Sequence, residues 1–420
     1  MKQGLYKATF VRPGPRIPGV LYEPLDKGEK SRVGILVMHS DSDYLDQSTG
    51  PELAKRGYTV LCANVSDHMA RLATKVLDTK HALEYLKNLD GITKIVLMGH
   101  SGGATLMSAY QSIAENGAAA FQGPEKLIKC PDFLDGLPPA DGFMSLDSNW
   151  GNGAMRLFGV DPAVVGEDSG LVIDESLNMF NPANGYDPEG STYSEEFLQR
   201  FFKAQNDRNN RIINHALERL AMIEAGKGLY TDDEPLVLPG ASNIGPNNKL
   251  FPQDIRLLSR TKEARTLLHK DGVVTNEIVH TVRKPRHLRG LTGQLSMGAL
   301  FTTVKTFLDS YAVRSLDGYG YDACEVFGVD WTSSYNCPPG NVMGITVPTL
   351  IMAMTASYEF SAAETIYNNT KSTDKTLAFV EGASHDFYPE KACERFEGEF
   401  GDTVKTLFDY IDQWLSERFV

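Results

Sequence analysis

Apolar runs punctuate the first third of the chain: RVGILVMHS (32–40), YTVLCANV (58–65), TKIVLMGHS (93–101) and DGFMSLDSN (141–149). Each is continuously apolar rather than alternating, and the first ends in a polar turn. That is the pattern of strands buried on both faces of a parallel sheet. Between the second and third runs, Met69, Leu72, Val76, Leu83 and Leu86 recur at helical spacing. Strand–helix–strand order predicts right-handed crossovers and hence a mostly parallel, doubly wound α/β sheet.

Past Trp150 the rhythm breaks. Turn-rich stretches such as FNPANGYDPEG and LPGASNIGPNNKLFP alternate with long helical patterns. One pattern opens with Thr192 and Glu195, the spacing of a capping box, and carries Phe197, Phe201, Ile213, Leu217 and Leu220 on one face. Residues 293–314 read as another helix. The α/β rhythm then returns with VPTLIMAMTA (347–356) and KTLAFVEGASH (375–385), and an amphipathic helix closes the chain. The expected organisation is an α/β core in two parts, 1–149 and 347–420, split by a large, mostly helical cap over 150–346, with an exposed loop near 235–250.

Composition narrows the function classes. With 42% hydrophobic and 23% charged residues, the 420-residue chain has the balance of a globular protein. Its net charge of −13 argues against a nucleic-acid partner, which calls for a basic face, and against an anionic membrane surface. Five scattered cysteines without a CxxC pair point to reduced thiols, and with no apolar leader at the N-terminus the expectation is a cytoplasmic protein. Nothing in the pattern fixes an oligomeric state.

The third apolar run flows into Gly99-His100-Ser101-Gly102-Gly103, which fits G-x-S-x-G between a strand and a helix-like run. A serine on so tight a corner projects its hydroxyl from the sheet edge, and the helix start behind it favours developing negative charge. Here the chain resembles the α/β-hydrolase superfamily of esterase-like serine hydrolases, over about residues 18–149 and 347–420. The resemblance implies a Ser-His-acid triad with Ser101 as nucleophile and His385, in GASHDF, as base. For the acid it favours Glu359, just past the penultimate strand, with Asp147 in SLDSN as the alternative. It places the oxyanion at the N–H groups of Gly102 and Asp41, although the loop reads His39-Ser40-Asp41 rather than His-Gly. His100 and Ser40 are expected to line the substrate pocket.

The implied reaction is two-step acyl transfer on a small-molecule ester, lactone or thioester, with no metal or other cofactor. An amidase or C–C hydrolase with the same triad, and a non-catalytic binding protein on the same scaffold, are the competing readings. Retention of both Ser101 and His385 argues against the last.

Overall fold

The computed structural model describes residues 5–167, 172–241, 249–285 and 298–420. An antiparallel hairpin of β1 (Tyr6–Gly14) and β2 (Ile17–Pro24) leads in. It is followed by β3 (Val33–His39), α1 (Thr49–Lys55), β4 (Thr59–Asn64), α2 (Leu72–Lys87), β5 (Lys94–His100), α3 (Gly103–Asn116) and β6 (Gly142–Leu146). The long middle segment holds α4 (Asn152–Gly159), α5 (Glu195–Glu224), β7 (Pro235–Pro239), β8 (Arg260–Leu268), β9 (Val274–His280), β10 (Ala299–Thr303), β11 (Arg314–Tyr321) and β12 (Val326–Asp330). The chain closes with β13 (Thr349–Met354), α6 (Ala362–Asn369), β14 (Lys375–Val380) and α7 (Thr403–Phe419).

One sheet organises these elements, in the order β1-β2-β4-β3-β5-β6-β13-β14-β8-β9. Pairing is parallel from β4 through β8 and antiparallel at both edges. β3, β4, β6 and β13 are buried along their whole length, which is why their sequences run continuously apolar. Successive side chains alternate between the two faces. Ile35, Val37, Val60 and Met98 join Leu53 of α1 and Leu407, Phe408 and Trp414 of α7 in one core. Leu36, Leu61, Leu97 and Phe143 join Val76 and Leu83 of α2 and Leu106 and Ile113 of α3 in the other. Among the described residues no helix is long and apolar enough to cross a membrane.

The middle segment departs from the expected helical cap in four places. Its β8–β9 hairpin returns to the main sheet, with Thr266, Leu267 and Leu268 pairing in parallel with Ala378, Phe379 and Val380 of β14. Most of β8 and β9 lies at a polar sheet edge, so neither sequence shows a buried apolar run. The helix expected over 293–314 is strand β10 at 299–303, paired with β7, followed by a short helical stretch through Tyr311; residues 293–297 lie outside the described residues. α5 is capped by Ser194, which accepts from Phe197 N–H, rather than by Thr192. Of the loop expected near 235–250, residues 235–239 are β7 and 242–248 lie outside the described residues.

Candidate active site

Ser101 sits on the corner between β5 and α3 with φ of 55°, a left-handed conformation that a side chain rarely adopts. Its neighbours make the corner possible. A Cβ on Gly99 would stand 2.5 Å from Ala104 Cα, and one on Gly103 would stand 2.5 Å from Met38 O. Only glycine lets strand, turn and helix approach so closely. Ser101 N–H donates to Leu146 O at 3.1 Å, which ties the corner to the end of β6.

The next residue, Asp147, is fully buried and also has positive φ, 40°. Its backbone N–H donates to Met352 O at 2.7 Å, and its Oδ1 accepts from Met354 N–H at 3.0 Å. These bonds to β13 aim the other oxygen at the loop after β14, where Oδ2 lies 2.6 Å from His385 Nδ1. Burial acts to lower the His385 imidazole, but the Asp147 carboxylate, helped by Glu359 and Asp386, overcomes it and raises the pKa to about 9. The loop carrying His385 is held by Gly382, whose N–H donates to Thr355 Oγ1 at 2.7 Å and whose missing side chain leaves room for the Phe400 ring.

The favoured acid, Glu359, is not the residue hydrogen-bonded to His385. It lies on a short helical turn after β13, 3% exposed, and its Oε2 has no hydrogen-bond partner among the described residues. Burial raises its carboxyl, with Lys249 and His385 pulling the other way. Its neighbour Tyr358 stacks on His385, ring centroids 6.5 Å apart. Asp147 holds the bonding position because the tight turn at the end of β6 delivers its carboxylate directly to the sheet edge. No hydrogen bond joins Ser101 to His385 in this structure; their backbones are linked through His100.

His100 is buried and engages both ring nitrogens. Nε2 lies 2.8 Å from His385 O and Nδ1 lies 2.6 Å from Tyr44 OH. A carbonyl only accepts, so Nε2 carries the proton and Nδ1 accepts from the tyrosine. His100 thus braces the His385 backbone rather than offering a polar group to a pocket. Ser40, also expected at the pocket, is wholly buried, and its Oγ donates to Asp41 Oδ2 at 2.5 Å and Gly102 O at 3.1 Å.

The oxyanion pair expected at Gly102 and Asp41 is also altered. Asp41 N–H donates to His39 Nδ1 at 2.9 Å and is therefore engaged within its own loop. Burial lowers His39 to about 4, so the ring is neutral and able to accept. Gly102 heads α3, where the helix leaves its first N–H groups without internal acceptors. The Asp41 carboxylate meets Lys75 Nζ at 2.8 Å; Lys75, only 2% exposed, is a residue the motif analysis missed. Its signal was present: Lys75 falls three residues after Leu72, on the apolar stripe of α2.

His100, Asp147 and His385 offer ligand atoms within 4.8 Å of one another. The His100 nitrogens and His385 Nδ1 are already hydrogen-bonded within the protein, so the cluster reads as a hydrogen-bonded array.

No family model and no curated protein matches the chain. Among solved structures, a hypothetical protein from Pseudomonas aeruginosa is 13% identical, with a TM-score of 0.42, over 99% of this chain and 95% of that one. Est1E from Butyrivibrio proteoclasticus is 11% identical with a TM-score of 0.39, covering 98% of each chain. Carboxyl esterase 2 from the mycorrhizal fungus Tuber melanosporum is 10% identical with a TM-score of 0.42, over 100% of this chain and 88% of that one. Likenesses this distant say nothing about chemistry. The strand order and the strand–serine–helix corner stand on the chain's own structure, and by them it has the α/β-hydrolase fold.

Proposed function

We propose that the chain is a serine hydrolase of carboxylic esters, with Ser101 as nucleophile, His385 as base and Asp147 as acid. The observation that carries this is the 2.6 Å bond between His385 Nδ1 and Asp147 Oδ2, built beside a serine on a strained corner. In the neutral imidazole Nδ1 holds its proton toward Asp147, which leaves Nε2 free to accept from Ser101 Oγ. As Oγ attacks the ester carbonyl, the proton passes to Nε2 and Asp147 stabilises the imidazolium. Negative charge collects on the carbonyl oxygen, where Gly102 N–H and the start of α3 oppose it; one such donor is worth about 2.7–4 kcal/mol. The imidazolium returns the proton to the leaving alkoxide, and water releases the acyl group by the same steps. Lactones and thioesters fall under the same chemistry.

The test is labelling by a fluorophosphonate probe together with hydrolysis of p-nitrophenyl esters. The wild-type chain is expected to label and turn over, and folded Ser101→Ala to do neither. Activity of Ser101→Ala within tenfold of wild type would sink the nucleophile assignment.

A further inference from the structure

α4 follows directly on the turn that carries Asp147, and all of its residues are buried, Arg156 among them at 4% exposure. A buried cation is normally paired, because desolvating it costs several kcal/mol. Arg156 has no carboxylate within ion-pair distance among the described residues. Its Nη1 donates to Ala241 O, its guanidinium lies 5.4 Å from the centroid of the Tyr311 ring, and its Nε has no hydrogen-bond partner among the described residues. Burial depresses its basicity to about 10, against the weaker opposing pull of Tyr311 and the Asp41 carboxylate.

The place of this charge matters. Asn152 stands four residues earlier, on the same face of α4. Its Nδ2 approaches Asp41 Oδ2 at 3.4 Å, and its Oδ1, like Arg156 Nε, lacks a partner among the described residues. Asp41 in turn is bonded to Ser40, which touches Gly102 O beside the serine. The face of α4 with two unpartnered polar atoms therefore begins at the loop beside Gly102. A second buried cation, Lys249, lies at the neighbouring residue, its Nζ 3.6 Å from Met155 Sδ.

We propose that Arg156 anchors a carboxylate on the substrate, so that the ester this chain hydrolyses carries an acid group. The inference rests on the hydrolase reading above for the reaction, but not for the binding. A carboxylate matches the planar fork of a guanidinium and would supply the close ion pair that no described carboxylate makes with it. Arg156 is a specificity residue here; it takes no proton and forms no bond to the reacting atoms.

The experiment compares mono-p-nitrophenyl glutarate with its neutral methyl ester on wild type, Arg156→Met and Arg156→Lys. Wild type is expected to favour the acid in kcat/KM by on the order of ten- to a hundredfold, the range of a charge-assisted hydrogen bond. The ratio should fall to about one in Arg156→Met, mostly through KM, and to an intermediate value in Arg156→Lys. In parallel, glutarate should raise the Tm of Ser101→Ala but not of Ser101→Ala/Arg156→Met. An arginine kept only for packing would instead lower the Tm of the free chain when removed, with the substrate ratio unchanged. Equal handling of both esters by wild type, or a ratio and a glutarate shift indifferent to Arg156, would overturn the anchor. Arg156-dependent glutarate binding without hydrolysis of either ester would overturn the hydrolase reading and leave the anchor standing.

Discussion

Asp147 and Glu359 are two buried carboxylates that act on the same imidazole in different ways. Asp147 is bonded to His385 Nδ1; Glu359 acts on it through charge alone. Asp147→Asn should therefore lose about 10⁴ in kcat, the effect of misplacing the imidazole proton. Glu359→Gln should lose less than about tenfold, because no bond to His385 is removed. Thermal melts of both variants would separate catalysis from folding, and the reversed order would return the acid role to Glu359. The pH profile carries the same logic. As the proposed base, His385 works only when neutral, and its pKa is raised to about 9, so kcat/KM should climb with pH to a plateau above that value. Glu359 is among the groups that raise His385, so Glu359→Gln should move the inflection to lower pH. An inflection that stays in place would show that Glu359 is electrostatically silent. The sequence pointed to the positions of Ser101 and His385 because each sits in a motif at a strand end. It could not rank the two acids, since the choice depends on a backbone turn and on bonds from β6 to β13, neither of which any local pattern encodes.

At the scale of elements, the central strands announced themselves and the edge strands did not. β3, β4, β5, β6, β13 and β14 coincide with the continuous apolar runs, because only side chains buried on both faces must all be apolar. β1, β8 and β9 expose many of their side chains, so their sequences look like loops. Met69 shows the same limit within one helix: it matches the spacing of Leu72 and Val76, yet it precedes α2 and is 73% exposed. Glycines at the joints between elements are more informative. Gly99→Ala places a methyl 2.5 Å from Ala104 Cα, and Gly382→Ala places one on the Phe400 ring at a φ of +67°. Each should destabilise by about 1–3 kcal/mol or more. Gly28→Ala, with nothing within 4 Å, serves as the control and should leave denaturant midpoints unchanged. Similar midpoints for all three variants would mean that the joints relax more than their packing implies.

For the whole molecule, the main sheet reaches into the middle segment. The β8–β9 hairpin is the outer margin of the main sheet, and Glu381 N–H just past β14 donates to Leu268 O at 3.0 Å. Hydrogen exchange should show this directly. Amides of β8 that pair with β14 should exchange only with global unfolding, at the rate of the β14 amides, whereas a hinged cap would let them exchange far sooner. Protection of β8 much below that of β14 would return residues 260–280 to a separate cap.

The bond between Asp147 and His385 spans 238 positions of the chain. Measured in time, that is roughly 12–50 s of synthesis at 5–20 residues per second. Ser101 and Asp147 emerge early and on neighbouring strands; the base that would arm them comes near the end. If His385 is the base proposed above, the serine stays an ordinary alcohol throughout that interval, because nothing yet accepts its proton. On the proposed triad the long middle segment would act as a delay, with hydrolytic power arriving only when β14 and its loop close the sheet.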